Sequence, residues 1–510
     1  MTARHEVPSS LGGRRGPSLT TQSLHLIFGR LVGFAFAFGL PIVLVRLLDQ
    51  VEFGTYKQFL LVAGFLIGVL PLGLHASLFY FIPQDPPRAG NYLLQTSILS
   101  LVIGVAAGVI IYVLAEPLAG FLNSPLLLDV VPFLAFFLAL EMVGRILERT
   151  VIIERQVKLS ALVFGGSDAL KALALIGPAV VTREFYWVAV GAAGYALARA
   201  LALVVWAIWR YGDRFERSRM AVRLGEQLNY ALPFGGGNLV QNALLRYHAF
   251  YVAALFSPGT FAIYSIATQP IPPVQIFFGS LFEVALVRMT EYFVRGDWVA
   301  MRVLWNKLIA SQAAVVMPMI VGLCLLAVPF VETLFTALYL DAVPVFRVSL
   351  LLLPLTMLND HVLLRACANT RFILVASLAG LGASLVAVPA LTYMLGLTGA
   401  ALGLVLGVAT MKAAGLLRVR ALLHLGYAEI LPWSRCGRYL LGSVVAALLV
   451  YPFLQMLQRP FLQLTICGTL FWLSYVAVAW VGNLFSEKDK RALTTFARSA
   501  RVFVLGTFLR

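Results

Sequence analysis

Apolar residues in this chain gather into long continuous runs, and the polar residues fall in short clusters between them. Fourteen runs can be placed, near 23–45, 57–81, 92–114, 126–148, 159–181, 186–209, 228–256, 259–287, 306–330, 344–366, 371–394, 398–421, 438–457 and 461–485. An apolar run of about 18 or more residues, rising about 1.5 Å per residue, carries a helix across a hydrocarbon core. Transmembrane barrel strands alternate over about ten residues, whereas these runs are unbroken and much longer. The expected fold class is therefore all-α, a polytopic integral membrane protein of about 14 transmembrane helices.

Short motifs recur at a fixed distance. VRLLDQVEFGTYKQF from Val45 is echoed by YVAALFSPGTFAIYSI from Tyr251, so that Phe53 and Tyr56 fall on Phe261 and Tyr264, 208 positions on. RTVIIERQVKLSAL from Arg149 is echoed by RACANTRFILVASL from Arg365, placing Arg149 and Arg155 on Arg365 and Arg371 at an offset of 216. Two related halves of six spans each share one membrane orientation, because six is even, and are related by an axis along the bilayer normal. The expected organisation is a cytoplasmic tail over 1–22, a six-helix lobe over 23–209, a charged linker over 210–227 and a second six-helix lobe over 228–421. A linker with spans thirteen and fourteen follows over 422–485, then a basic cytoplasmic tail over 486–510. That tail mixes Lys488, Lys490, Arg491, Arg498 and Arg501 with Leu493, Phe496, Val502 and Phe503, as suits either a helix lying in the anionic interface or a frayed basic end.

Composition agrees. Hydrophobic residues make up 60% of the chain and charged residues 12%, with a mean hydropathy of +0.89, well outside the range of soluble domains. With the N-terminus inside, 30 of the 39 Lys and Arg fall on inner tails and loops. Five fall on outer turns (Arg46, Lys57, Arg183, Arg347, Arg459) and four within spans. This positive-inside bias puts both termini in the cytoplasm, and the net charge of +16 reads as a topology signal with no need of nucleic acid. Residues 1–22 lack the apolar core of a signal peptide. Cys324, Cys367, Cys436 and Cys467 are scattered singly and read as structural, without metal-ligand spacing.

Chemistry is sparse. The outer turns are short, and their acids (Asp49, Glu52, Glu116, Glu184, Glu332, Asp341) are isolated; no paired-carboxylate, nucleophile or phosphate-loop motif occurs, so the chain is not expected to be an enzyme. The four intramembrane cations, Arg30, Lys171, Arg199 and Arg246, carry the most information, since a charge in lipid is costly unless it faces water or a partner. Facing one water-filled cavity they would attract an anion, with Arg side chains suited to phosphate oxygens. Each has a structural alternative, in particular Lys171, which has Asp168 one turn earlier on the same face. The intramembrane acids Glu141, Asp168, Glu283 and Asp360 are candidates for coupling to a proton or sodium ion, foremost Asp168 and Asp360. Glu141 and Asp360 have Arg145 and Arg365 nearby as partners, and His75, His248 and His361 read as hydrogen-bonded structural residues. Helix breakers mark hinges or static kinks: Pro233, Gly235, Gly236 and Gly237 in span seven, Pro270, Pro272 and Pro273 in span eight, and Gly39 and Pro41 in span one. The repeated turn is charged only in its first copy, where Arg46, Asp49 and Glu52 stand against Ala254, Ser257 and Thr260, so a polar outer gate is expected there.

VRLLDQVEFGTYKQF resembles the signature that follows the first helix in polysaccharide-biosynthesis (Wzx-type) flippases of the multidrug/oligosaccharidyl-lipid/polysaccharide (MOP) exporter superfamily, with Asp49 where the family usually has glycine. YMLGLTGAALGLVLG from Tyr393 resembles their turn between helices eleven and twelve. The resemblance implies two pseudo-symmetric six-helix bundles around a central cavity that opens alternately to each side, with two C-terminal helices appended. It implies transport of an undecaprenyl-pyrophosphate-linked oligosaccharide across the bacterial inner membrane for exopolysaccharide, capsule or O-antigen. Cavity cations would receive the pyrophosphate, with Arg30 and Arg246 the best matches by helix and depth. It implies membrane lipids and the lipid-linked substrate as partners, with polysaccharide polymerase and export machinery as further ones. A lipid II or multidrug exporter of the same superfamily, a membrane glycosyltransferase or polymerase, and a scaffold for an assembly complex are the alternatives.

Overall fold

A computed structural model describes residues 19–154, 156–212, 223–270 and 272–484. Helices lie at every expected run: α1 (Leu19–Leu47), α2 (Gln50–Gln84), α3 (Ala89–Val113), α4 (Leu127–Ile153), α5 (Val157–Thr182), α6 (Phe185–Tyr211) and α7 (Leu224–Leu255). Then come α8 (Pro258–Ala267 and Pro272–Arg295), α9 (Trp298–Leu325), α10 (Ala342–Ala366), α11 and α12 (together Thr370–Leu423), α13 (Trp433–Met456) and α14 (Pro460–Val481). Counting Thr370–Leu423 once, ten helices among the described residues are long and apolar enough to cross a membrane. The chain is an all-α, multi-pass membrane protein. The face at which α1 begins is called the basic face below, and the opposite one the far face.

The first lobe is built by α1 on α5, α3 on α4, and α4 and α5 on α6; the second by α7 on α11 and α12, and by α8 and α11 on α10. α13 packs on α9 and α14, and Tyr475 of α14 donates to the Ala314 carbonyl at 2.9 Å. The expected 210–227 linker is described only at its two ends, and the 486–510 tail lies outside the described residues.

Both copies of the repeated turn start a helix in the same way. Asp49 caps α2, accepting from the Glu52 amide at 2.7 Å, and Ser257, 208 positions on, caps α8, accepting from the Thr260 amide at 3.3 Å. Phe53, Tyr56, Phe261 and Tyr264 are all buried. The two corners pack on each other across the lobes, so closely that a Cβ on Gly54 would lie 1.8 Å from the Pro258 carbonyl oxygen. The glycines of YMLGLTGAALGLVLG have separate roles. Gly396, at φ 59° and ψ −138°, occupies backbone space that only glycine adopts readily and bends α11 into α12. Gly399 and Gly403, four apart on one face of α12, leave room for the α11 backbone at Leu391 and Val388.

The helix breakers differ in how they sit in their helices. α7 runs unbroken through Pro233, Gly235, Gly236 and Gly237, with the proline inside the helix, and α1 runs unbroken through Gly39 and Pro41. α8 does stop at Ala267 and restart at Pro272, as its proline cluster predicts. The further break is in α2, where Leu72 and Gly73 take positive φ and separate Gln50–Val69 from Leu74–Gln84.

Candidate functional site

Between the lobes lies a cavity of about 330 Å³. Its walls come from the far-face half of α1 (Ala37, Leu40, Pro41), from α2 (Tyr56, Lys57, Leu60, Leu61), α5 (Asp168, Lys171), α7 (Arg246, Ala249) and the broken stretch of α8 (Phe261 to Pro270). A discontinuous helix at a repeat interface is where irregular backbone becomes tolerable in a membrane, because it borders a cavity.

Three cations converge there. Lys57 donates to the Gln269 side chain across the lobes at 3.2 Å, and its ammonium lies 5.3 Å from the Phe53 ring centroid. Arg246 lies against Gly64 of α2, where a Cβ would stand 3.1 and 3.2 Å from its two terminal nitrogens. Lys171 enters from α5, one turn after Asp168, whose carboxylate abuts Gly33 of α1, 2.5 Å from where a Cβ would stand. Asp168, Lys171 and Arg246 have no hydrogen bond or ion pair with other described residues. Asp168 and Lys171, one turn apart, thus both face the cavity, close enough to act on each other's charge without a direct ion pair. Ser265, Thr268 and Gln269 add neutral hydrogen-bonding groups.

Arg199 is not part of this cavity. It is buried in the first lobe, donating to Glu141 at 2.6 Å, to the Tyr195 hydroxyl at 3.1 Å and to Glu148, while Arg145 donates to Glu141 at 3.1 Å. Its two carboxylate partners sit on α4, a helix away, where spacing along α6 cannot reveal them. Asp360 is likewise occupied: Lys412 of α12 donates to it at 2.8 Å and to the Leu358 carbonyl at 3.0 Å. That partner, in place of Arg365, is a lysine inside the run 398–421 that the charge count nevertheless places on an inner loop. Glu141, though paired with Arg145 as expected, is chiefly the counter-ion of Arg199. His248 is bonded to Tyr264 and His75 to Ser100, in keeping with structural roles. The side chains of Arg30 on α1 and Glu283 on α8 lie outside the described residues.

The charged corner also divides. Asp49 and Glu52 form a reciprocal cap at the start of α2, and Glu52 accepts from the Phe185 amide at 3.1 Å, all within the first lobe. Arg46 alone of the three reaches the other lobe, donating to the Leu334 and Thr333 carbonyls at 2.7 Å each, at the end of the short helix Ala327–Phe335. Free carbonyls at a helix C-terminus are a natural seat for a guanidinium.

Lys57 is the cavity residue that sequence reading places wrongly, as part of an outer turn. A signal was available: Lys57, Leu61, Gly64 and Gly68 recur at helical spacing, and that face of α2 meets Arg246 and Asn242 of α7. Among the described residues no group of three or more His, Cys, Asp or Glu is placed to hold a metal ion.

Fold and cavity together define a two-lobed multi-pass membrane transporter architecture. A family model described as "Polysaccharide biosynthesis protein" matches residues 43–344, more than half of the chain. The chain belongs to this polysaccharide biosynthesis family, on a MOP-superfamily fold. Among solved structures it is similar to the lipid II flippase MurJ in an inward closed conformation, at TM-score 0.67 and 13% identity over 91% of this chain and 98% of that one. It is also similar to an inward-facing multidrug resistance MATE family transporter of the MOP superfamily, at TM-score 0.60 and 17% identity over 80% and 96%. A MOP superfamily transporter from Pyrococcus furiosus gives TM-score 0.58 and 16% identity over 79% and 95%. At these identities the likeness is one of fold. No curated protein matches the chain.

Proposed function

We propose that this protein is a flippase that carries an undecaprenyl-pyrophosphate-linked oligosaccharide repeat unit across the bacterial inner membrane by alternating access. The observation that supports this most is the meeting of Lys57, Lys171 and Arg246, drawn from both lobes, in one cavity between them. Cations from two lobes around one anion would couple its binding to lobe movement. The pyrophosphate would sit among these cations, hydroxyls of the glycan would meet Ser265, Thr268 and Gln269, and the polyprenyl tail would stay in lipid. The basic face would be cytoplasmic, with both termini there. No covalent change to the cargo is required, and polymerase and export machinery would receive it. A coupling proton or sodium ion would act at Asp168, which faces the cavity, in preference to Asp360, which is held by Lys412. The cavity's positive character disfavours a cationic drug as cargo.

The test follows lipid-linked repeat units in cells lacking the gene, complemented by the native protein or by a Lys57→Ala/Arg246→Ala variant. The double variant, present in the membrane at native level, is expected to lower outer-leaflet delivery and polymer output at least about tenfold. Native-level delivery by it would overturn the cavity assignment. Loss of lipid II delivery with unchanged polymer would replace the cargo.

A further inference from the structure

Toward the basic face, α2 and α7 are zipped together antiparallel. Arg246 lies on Gly64, Asn242 on Gly68 with a Cβ there 3.0 Å from its side-chain oxygen, and the Leu72 backbone fills the space beside Gly235. Farther down, Tyr80 stacks on Tyr230 with ring centroids 4.9 Å apart. Two side chains then reach from the start of α7 into the first lobe: Arg223, its guanidinium 5.7 Å from the Phe81 ring centroid at the rim, and Gln227, enclosed within the seam. Gln227, in the first turn of α7 and fully buried, donates to the Ser77 hydroxyl at 2.8 Å and the Thr96 hydroxyl at 2.9 Å, and accepts from the Gln95 amide.

We infer that Gln227 is the latch of the α2–α7 seam, and that this seam parts when the cavity opens to the basic face. Three features support this. Gln227 is anchored in one lobe, while the partners that satisfy both ends of its amide, Gln95, Ser77 and Thr96, belong to the other, so it holds the lobes together and does nothing for either alone. The network is neutral and lies within about two turns of the basic ends of α2, α3 and α7, where interfacial water can replace each bond as the seam parts. By contrast, every ion pair among the described residues stays inside a lobe, which suits bodies that move without deforming. Neutral hydrogen bonds, each exchangeable for a bond to water, make a reversible closure, whereas separating a buried ion pair is far more costly. The inference needs the two lobes and the seam, and is independent of the cargo.

The full-length protein, freed of its four native cysteines, would carry spin labels at Phe79→Cys and Leu232→Cys, two exposed positions on either side of the seam. In nanodiscs the native latch is expected to give one short distance. Gln227→Ala is expected to add a longer one, raising the open-to-closed ratio at least about tenfold. Ser77→Ala/Thr96→Val, which leaves Gln227 in place and removes two partners, is expected to do the same and decides the matter if Gln227→Ala does not fold. A distance distribution unchanged in the folded variants overturns the proposal.

Discussion

Arg199 and Arg246 are the same residue type at membrane depth in consecutive helices, and their surroundings give them opposite roles. Arg199 is enclosed by Glu141, Glu148 and Tyr195, whereas Arg246, among the described residues, has the glycine face of α2 beside it and the cavity before it. Removing Arg199 leaves two carboxylates without their shared cation in a buried site, a loss that costs roughly 3–5 kcal/mol. Arg199→Met is therefore expected to lower the unfolding temperature sharply in detergent. Arg246→Met is expected to stay within about 0.5 kcal/mol of native stability while losing transport, since no described group is left unpaired. Unfolding curves of the two variants side by side check both statements, and equal destabilisation would contradict the division of roles. Sequence alone shows that charges sit at depth. It cannot show which of them are answered, because the answer comes from another helix: α4 for Arg199, α12 for Asp360.

At the scale of elements, much more is legible. The positions of the helices follow from apolar run length, the bend at Gly396 from its glycine, and the break in α8 from its prolines. The repeated corner is an N-cap in both copies, which explains why Asp49 becomes Ser257 at the equivalent place: aspartate and serine both accept from the amide three residues on. Asp49→Ser is thus expected to change stability by only a few tenths of a kcal/mol, and Asp49→Ala to cost about 1 kcal/mol, read by thermal unfolding. An equal loss in both variants would count against a capping role. Pro233 and the glycines after it lie within an unbroken α7, since lipid and neighbouring helices tolerate such residues inside a helix. Gly235 makes room for the Leu72 backbone at the break in α2.

Across the whole molecule, the described ion pairs tie helices within lobes, while the lobes meet through hydrogen bonds, stacked rings and glycine contacts. Arg46 is the far-face counterpart of Gln227, a charged side chain of the first lobe on two carbonyls of the second. Arg46→Ala is expected to loosen that face and raise the labelling of an Ala37→Cys reporter, from the far side only, about five- to tenfold. A rise from the basic side, or none, would show that Arg46 does not hold the far mouth.

The corner contact of Gly54 with Pro258 gives this arrangement a mechanical advantage. From Gly54 to the break in α2 after Val69 is roughly 22 Å of helix, at about 1.5 Å per residue. If the two repeated corners stay pressed together, they act as a fulcrum and α2 as its long arm. A swing of about 10° at the fulcrum would then carry the break roughly 4 Å, an opening obtained without rebuilding either lobe.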